Sequence, residues 1–234
     1  MRFLELAGCA RFRPYAQRYP VTLARSLACA SIILLCACTQ PMRAISDSYA
    51  FLRQTSEAQI ERTVLAKDHR YLKVSSRGRT ALLVLGYTEH DPQGDIEVWY
   101  SGAREVLRIQ NGRLVGATGL ATEWTDVRLA SPPDWLAIAG VTSYVRRRDV
   151  MPGYDFDEFD KVTVQPISMP SDTRYAGPGA ARLRWYVEHS QGRIALRDAR
   201  YAVAQKEGKA VVVYGEQCLD PGLCISWQRW PAEA

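Results

Sequence analysis

The sequence predicts a mainly β protein: an antiparallel meander forming a sandwich or open barrel, with one or two short N-terminal helices. Three observations predict it. Between Tyr71 and Leu120 lie five short runs rich in β-branched, aromatic and leucine residues: Tyr71–Ser76, Thr80–Glu89, Ile96–Tyr100, Glu105–Gln110 and Arg113–Thr118. The breaks between them carry turn chemistry, Arg77-Gly-Arg79, Asp91-Pro-Gln-Gly-Asp95, Ser101-Gly-Ala-Arg104 and Asn111-Gly112. Asn-Gly between two apolar runs is a strong hairpin signal, because both residues tolerate the positive φ of a type I′ turn. Further short strand candidates then follow one another to the C-terminus, a spacing that favours a sandwich or barrel over βαβ units.

Each element has its own reason. Ile45, Tyr49 and Leu52 recur at helical spacing and suggest a first short helix. Ser56-Glu-Ala-Gln59 matches a capping box, and Ile60, Val64 and Leu65 continue at helical spacing, so a second helix is expected from about Glu57 to Ala66. In the meander, Ala81-Leu-Leu-Val-Leu85 is apolar on both faces, which requires cover on each side. Ile96-Glu-Val-Trp-Tyr100 alternates more cleanly. Residues 121–134 read as a connection, since Pro132-Pro133 continues neither a helix nor a central strand. Strand character resumes at Trp135–Ile138 and Val141–Val145, then at Lys161–Ile167 after the basic Arg146–Arg148 and the acidic-aromatic Tyr154–Asp160. Ser171–Gly179 reads as a loop. Arg182–Val187, Arg193–Arg197, Tyr201–Ala204, Ala210–Tyr214 and Cys224–Arg229 complete the strand candidates.

The domain organisation follows from charge and hydropathy. The chain has 234 residues and a net charge of +5, and residues 1–37 hold five arginines against Glu5 alone. The basic balance therefore belongs mostly to a leader, and it argues against a nucleic-acid partner, which needs a basic patch on the folded domain. The apolar run Leu27–Ala37 is eleven residues long, whereas a spanning helix needs about 20. Its length and basic flank suit a signal-peptide core over residues 1–37. It ends Leu35-Cys36-Ala37-Cys38, which resembles the lipobox of bacterial lipoproteins. That resemblance implies Cys38 as the diacylated mature N-terminus, and Thr39 in place of Asp implies sorting to the outer membrane, facing the periplasm. Two acyl chains anchor a protein stably, whereas one binds only marginally. Leu6-Ala7-Gly8-Cys9 is a closer lipobox by letters, but no apolar core precedes it. Residues 38–55 then form a lipid-anchored tether with the first short helix, and 56–234 a single β domain.

Two cysteines lie beyond Cys38. Cys218 and Cys224 bracket the turn signal Asp220-Pro-Gly222, and in an oxidising periplasm a short-loop disulfide is the natural reading. Two free thiols, or half of a metal site, are the alternatives. His69, His90 and His189 show no metal-ligand spacing, and no nucleophile elbow or phosphate-binding glycine loop occurs. The sequence thus nominates no metal, cofactor or catalytic residue. Asp155, Asp157, Glu158 and Asp160 fail the calcium-loop pattern, since Phe159 and Asp160 stand where a ligand and a glycine are needed. They read as a solvated acidic loop paired with Arg146–Arg148. Aromatic rings stack on sugars or fill cores; the candidates for glycan or partner contact are Trp99, Tyr100, Trp135 and Trp185.

Thr80-Ala-Leu-Leu-Val-Leu-Gly-Tyr87, Trp99-Tyr-Ser-Gly-Ala103, Val106-Leu-Arg-Ile-Gln-Asn-Gly-Arg-Leu-Val115 and Thr118-Gly-Leu120 together resemble the YjbF/GfcB family. Its members are bacterial lipoproteins linked to capsule and exopolysaccharide gene clusters. The resemblance covers residues 56–124, with Ser226–Pro231 a looser echo of the family's C-terminal end. It implies a non-enzymatic accessory or scaffold in making or exporting such a polymer, with polysaccharide or export-machinery proteins as partners. A polysaccharide-modifying enzyme and a general envelope-assembly lipoprotein without glycan contact are the competing expectations.

Overall fold

Residues 57–232 are described by the computed structural model. The leader, Cys38, the tether and the helix expected at Ile45–Leu52 lie outside the described residues.

A single short helix, α1 (Glu57–Glu61), precedes twelve strands among the described residues. They are β1 (Tyr71–Ser76), β2 (Arg79–Glu89), β3 (Ile96–Tyr100), β4 (Val106–Gln110), β5 (Arg113–Thr118) and β6 (Glu123–Ala130). After them come β7 (Thr142–Met151), β8 (Asp155–Ile167), β9 (Arg184–Gly192), β10 (Ala199–Lys206), β11 (Lys209–Asp220) and β12 (Leu223–Trp230). Every strand pairs antiparallel with its sequence neighbour, and β1 pairs with β12, so the meander closes into a barrel. Of the shapes the sequence suggested, the chain adopts the barrel, and it closes because Tyr71–Ser76 finds the last strand in register from Trp230 to Ile225.

The five strands anticipated between Tyr71 and Thr118 are present. At the β4–β5 turn, Asn111 and Gly112 have φ of 48° and 81°, as the Asn-Gly pair requires. Five other expectations change. The 121–134 connection contains β6, which ends before the proline pair. Trp135–Ile138 is not a strand: Trp135–Ala137 forms a 3₁₀ turn, nucleated by the Asp134 carboxylate accepting the Leu136 N–H at 2.8 Å. Tyr154–Asp160 is no loop, since β8 begins at Asp155 and turns Asp160 into the interior. Arg193–Arg197 lies between β9 and β10 and pairs with neither. The helix expected to reach Ala66 ends at Glu61, where the Thr63 hydroxyl donates to Gln59 O at 2.8 Å. Such back-bonding by a β-branched residue competes with helix continuation.

The lumen is filled. Trp99, Trp124, Trp135, Tyr186, Tyr201 and Trp227 meet there with leucines and isoleucines of most strands. Indole and phenol tips find backbone partners across it: Trp124 Nε1 donates to Leu219 O (2.9 Å), Trp135 Nε1 to Asn111 O (2.7 Å) and the Tyr186 hydroxyl to Trp135 O (2.7 Å). The outer face carries charge, with Arg147, Lys161 and His189 exposed on successive strands. A transmembrane barrel has the opposite arrangement, an apolar outer band around a polar interior. Two outer patches are covered by the chain itself. Helix α1 lays Ile60 on Tyr71 and Leu82, and the 168–183 loop packs Tyr175 and Leu183 over Trp185 and Tyr214. That loop is pinned by the Gln228 side chain, which bonds Ala176 through both its N–H (3.1 Å) and its C=O (2.6 Å).

Cys218 and Cys224 stand directly opposite each other on β11 and β12 and form the disulfide. It closes a short loop that the hairpin already orders. Replacing both cysteines by alanine is expected to lower unfolding stability by about 2 kcal/mol. A shift in the urea midpoint at unchanged slope is the measurement.

Candidate functional site

Alternation along β7, β8 and β9 aims charged side chains into the barrel. Tyr144, Arg146 and Arg148 are buried on β7, Asp160 on β8 and Glu188 on β9, and Arg113 joins them from β5. Two clusters result. In the first, Arg113 Nε donates to Glu188 Oε1 (2.9 Å) while the Tyr144 hydroxyl donates to Glu188 Oε2 (3.0 Å). The Arg113 guanidinium also lies 3.8 Å from the Trp135 ring centroid. Burial opposes its charge, but the Glu188 carboxylate outweighs that and raises its pKa. In the second, Arg146 and Arg148 both donate to Asp160 Oδ2, Arg146 at 3.0 Å through Nε. Their guanidinium carbons lie 4.7 and 4.6 Å from the Trp124 ring centroid. Burial, then the neighbouring Arg146 charge, pulls the Arg148 pKa down to about 10, so it remains protonated at neutral pH.

This interior has ion-pair chemistry but no route to a substrate. Its carboxylates and guanidiniums are at most 3% exposed. The Nε and Nη2 of Arg148 find no acceptor among the described residues. That edge of a guanidinium suits a bidentate acceptor. The wall beside it is the weakest in the ring, since β5 and β6 share the single pair Ala117↔Trp124. A groove of about 570 Å³ runs along this seam outside Trp124, and Val115, Leu129, Tyr144 and Val162 pack together beneath it.

The aromatic candidates separate on burial. Trp99 is fully buried, and Trp135 and Trp185 are each 3% exposed. Trp99 and Trp135 belong to the lumen and Trp185 lies under the 168–183 loop, so none presents a face for glycan stacking. Tyr100 is different. It lies on the outer surface, 39% exposed, beside Tyr87 at 49%, with ring centroids 6.4 Å apart. Gly86, at the bulge between Leu85 and Tyr87, makes room for it: a Cβ there would stand 2.5 Å from Tyr100 Cε2. Partial burial, followed by the Tyr87 hydrogen bond and charge, raises the Tyr100 pKa, so the phenol is neutral at physiological pH. The pair makes an open aromatic shelf flanked by the Arg108–Glu89 ion pair (2.5 Å).

The expected pairing of the Asp155–Asp160 stretch with Arg146–Arg148 is present, as Arg146–Asp160, Arg147–Asp157 and Arg148–Asp160; what sequence reasoning missed is that Arg146, Arg148 and Asp160 are buried, and the Arg113–Glu188–Tyr144 cluster. His189 meets Asp198 at 2.5 Å on the exposed face, and His90 meets Asp95 at 3.1 Å. No group of three metal-ligating side chains occurs among the described residues.

These features belong to a fold that has a solved counterpart. The chain shares its fold with the hypothetical lipoprotein YmcC from Escherichia coli K12. The TM-score is 0.54 over 78% of this chain and 91% of that one, at 17% identity. No family model and no curated protein matches the sequence. At that identity the likeness to YmcC shows the fold alone.

The interior network generates a pH prediction. Burial, then the Glu188 charge, raises the Tyr144 pKa far above that of a free phenol. A raised folded pKa contributes stability that is complete below the unfolded value near 10 and is lost as pH rises above it. Tyr144→Phe removes the hydrogen bond to Glu188 and is expected to cost about 1–3 kcal/mol at pH 7. The deficit relative to the parent should shrink between about pH 9 and 11, read as the difference in thermal midpoint.

Proposed function

We propose that this chain is a lipoprotein held through Cys38 at the periplasmic face of the outer membrane, working as a non-enzymatic accessory in making or exporting capsule or exopolysaccharide. The observation that carries the reading is the fold shared with a protein described as a lipoprotein, YmcC. It joins the basic leader, the short apolar core and Cys38 in the sequence. A filled barrel with a polar exterior suits a body suspended beside a membrane. Residues 39–56 can span at most about 60 Å when extended, enough to hold the barrel at the surface or let it swing away. Tyr100, with Tyr87 beside it, is the aromatic face offered to a sugar ring. Export-machinery proteins are the other partners in this reading.

Three measurements test it. Cys38→Ala should leave an unlipidated precursor, and normal acyl labelling of that variant would contradict the anchor site. A deletion strain should export less polymer; unchanged export removes the polysaccharide role. Calorimetric titration with the strain's own exopolysaccharide should give saturable heat, weakened about three- to tenfold by Tyr100→Ala. Parent-like binding by that variant removes Tyr100 from the contact, and release of reducing ends during the titration replaces the accessory role with an enzymatic one.

A further inference from the structure

The lumen is capped at one end and open at the other. At the end that carries the β4–β5 turn, Trp135 stands over Tyr186 and Tyr201, with ring centroids 5.3 and 4.8 Å away, and its indole bonds that turn at Asn111 O. At the end that carries the β1–β2 turn, the outermost inward-facing side chains are small. Val74 and Ala81 pair across the hairpin and are only half-buried, above Leu83, Leu107 and Ile225. Leu120, from the β5–β6 turn, packs against the same cluster and is also half-buried. These side chains line an open pocket of about 470 Å³, and no aromatic ring lines it.

The rim of this pocket holds one uncommitted charge. Arg79 lies on β2 two residues before Ala81, on the same inward face, and pairs with Ser76 at the end of the hairpin. It is exposed, and its guanidinium has no hydrogen bond or ion pair among the described residues. The other polar groups of the rim are engaged. Arg77 donates to Gly222 O at 3.2 Å, the Glu105 carboxylate accepts the Ser101 hydroxyl, Ser76 donates to Cys224 O at 3.0 Å, and the Thr80 and Ser75 hydroxyls share a hydrogen bond at 3.0 Å.

An apolar floor disfavours a sugar, whose hydroxyls would lose water without gaining partners. It favours hydrocarbon, since each methylene taken from water is stabilised by burial. A free guanidinium at the lip offers a carboxylate two parallel N–H bonds. The volume lies within the range of about 300–1,000 Å³ usual for small-ligand sites, and barrel mouths are a recurrent place for them.

We infer that the mouth of the barrel beside the β1–β2 turn binds a long-chain fatty acid. Its tail lies on Val74, Ala81, Leu107 and Leu120, and its carboxylate meets Arg79. This site stands apart from the anchored accessory role, because the ligand is a single molecule held at the lumen, whatever holds the chain at a membrane.

The test is photolabelling of the full-length chain, as purified from its host, with a palmitate analogue that carries a diazirine at the end of its tail. Labelled peptides are read by mass spectrometry. The label should fall on segments 74–83, 119–121 and 223–225. Excess palmitate should compete it away at least about tenfold more potently than hexadecanol, which has the same chain without the charge. Arg79→Gln should remove that preference and leave competition by hexadecanol unchanged. Ala81→Phe fills the mouth and should abolish the label. Leu120→Glu, on the turn, should do the same and serves where the thermal midpoint shows Ala81→Phe to be unfolded. Label spread over the outer surface, or gathered on the groove between Ile138 and Leu183 at the other end, overturns the site. So does label that persists in folded Ala81→Phe or Leu120→Glu. Equal potency of palmitate and hexadecanol on the parent chain overturns the carboxylate contact at Arg79, and stronger competition by hexadecyl phosphate than by palmitate replaces the fatty acid with a phosphate-headed lipid.

Discussion

Six consecutive pairs between β1 and β12, from Tyr71↔Trp230 to Ser76↔Ile225, join residues more than 140 positions apart and turn an open meander into a ring. Closure removes both sheet edges, which would otherwise offer unpaired N–H and C=O groups to other chains. It also divides every strand into an inside and an outside. All twelve strands must then supply inward side chains whose volumes together fill one lumen. The six large aromatics meeting at its centre meet that demand.

The lumen is filled in two ways. Along β1–β4 and β10–β12 it is apolar, with Leu72, Leu83, Leu107, Val203 and Ile225 in contact around the tryptophans. Along β7–β9 it holds guanidiniums and carboxylates. Buried ion pairs are poor sources of net stability, because desolvation offsets their attraction, yet removing one partner leaves a stranded charge. The network therefore acts chiefly as a register lock. A one-residue slip of β8 would put Asp160 outside and Phe159 inside, against two arginines. Trp124 and Trp135 lie against these guanidiniums, so the charged and apolar parts of the lumen share the same rings.

With the interior occupied, recognition falls to the outer surface and the barrel ends. On the outer surface, the Tyr87–Tyr100 shelf and the seam at Ala117↔Trp124 are where the molecule offers chemistry to something else. The 168–183 loop has the opposite role, covering Trp185 and Tyr214 that would otherwise be exposed.

The strands from β1 to β5 were legible because each depends on local physics: alternation, β-branched residues and turn chemistry such as Asn111-Gly112. The hairpin that brings Cys218 to Cys224 was legible for the same reason, through the turn at Asp220-Pro-Gly222. Charge and hydropathy along residues 1–38 pointed to a leader without any folded context. What the sequence could not decide was everything that depends on closure. Trp99, Trp135 and Trp185 are chemically as able to stack on a sugar as Tyr100 is; only the ring and the covering loop bury the first three and leave the fourth outside. Tyr154–Asp160 has the composition of a solvated loop, and it becomes a strand because Arg146 and Arg148 stand across from it and take Asp160 inward. Local propensity acts over a few residues, whereas burial and charge pairing depend on neighbours that only the closed fold supplies.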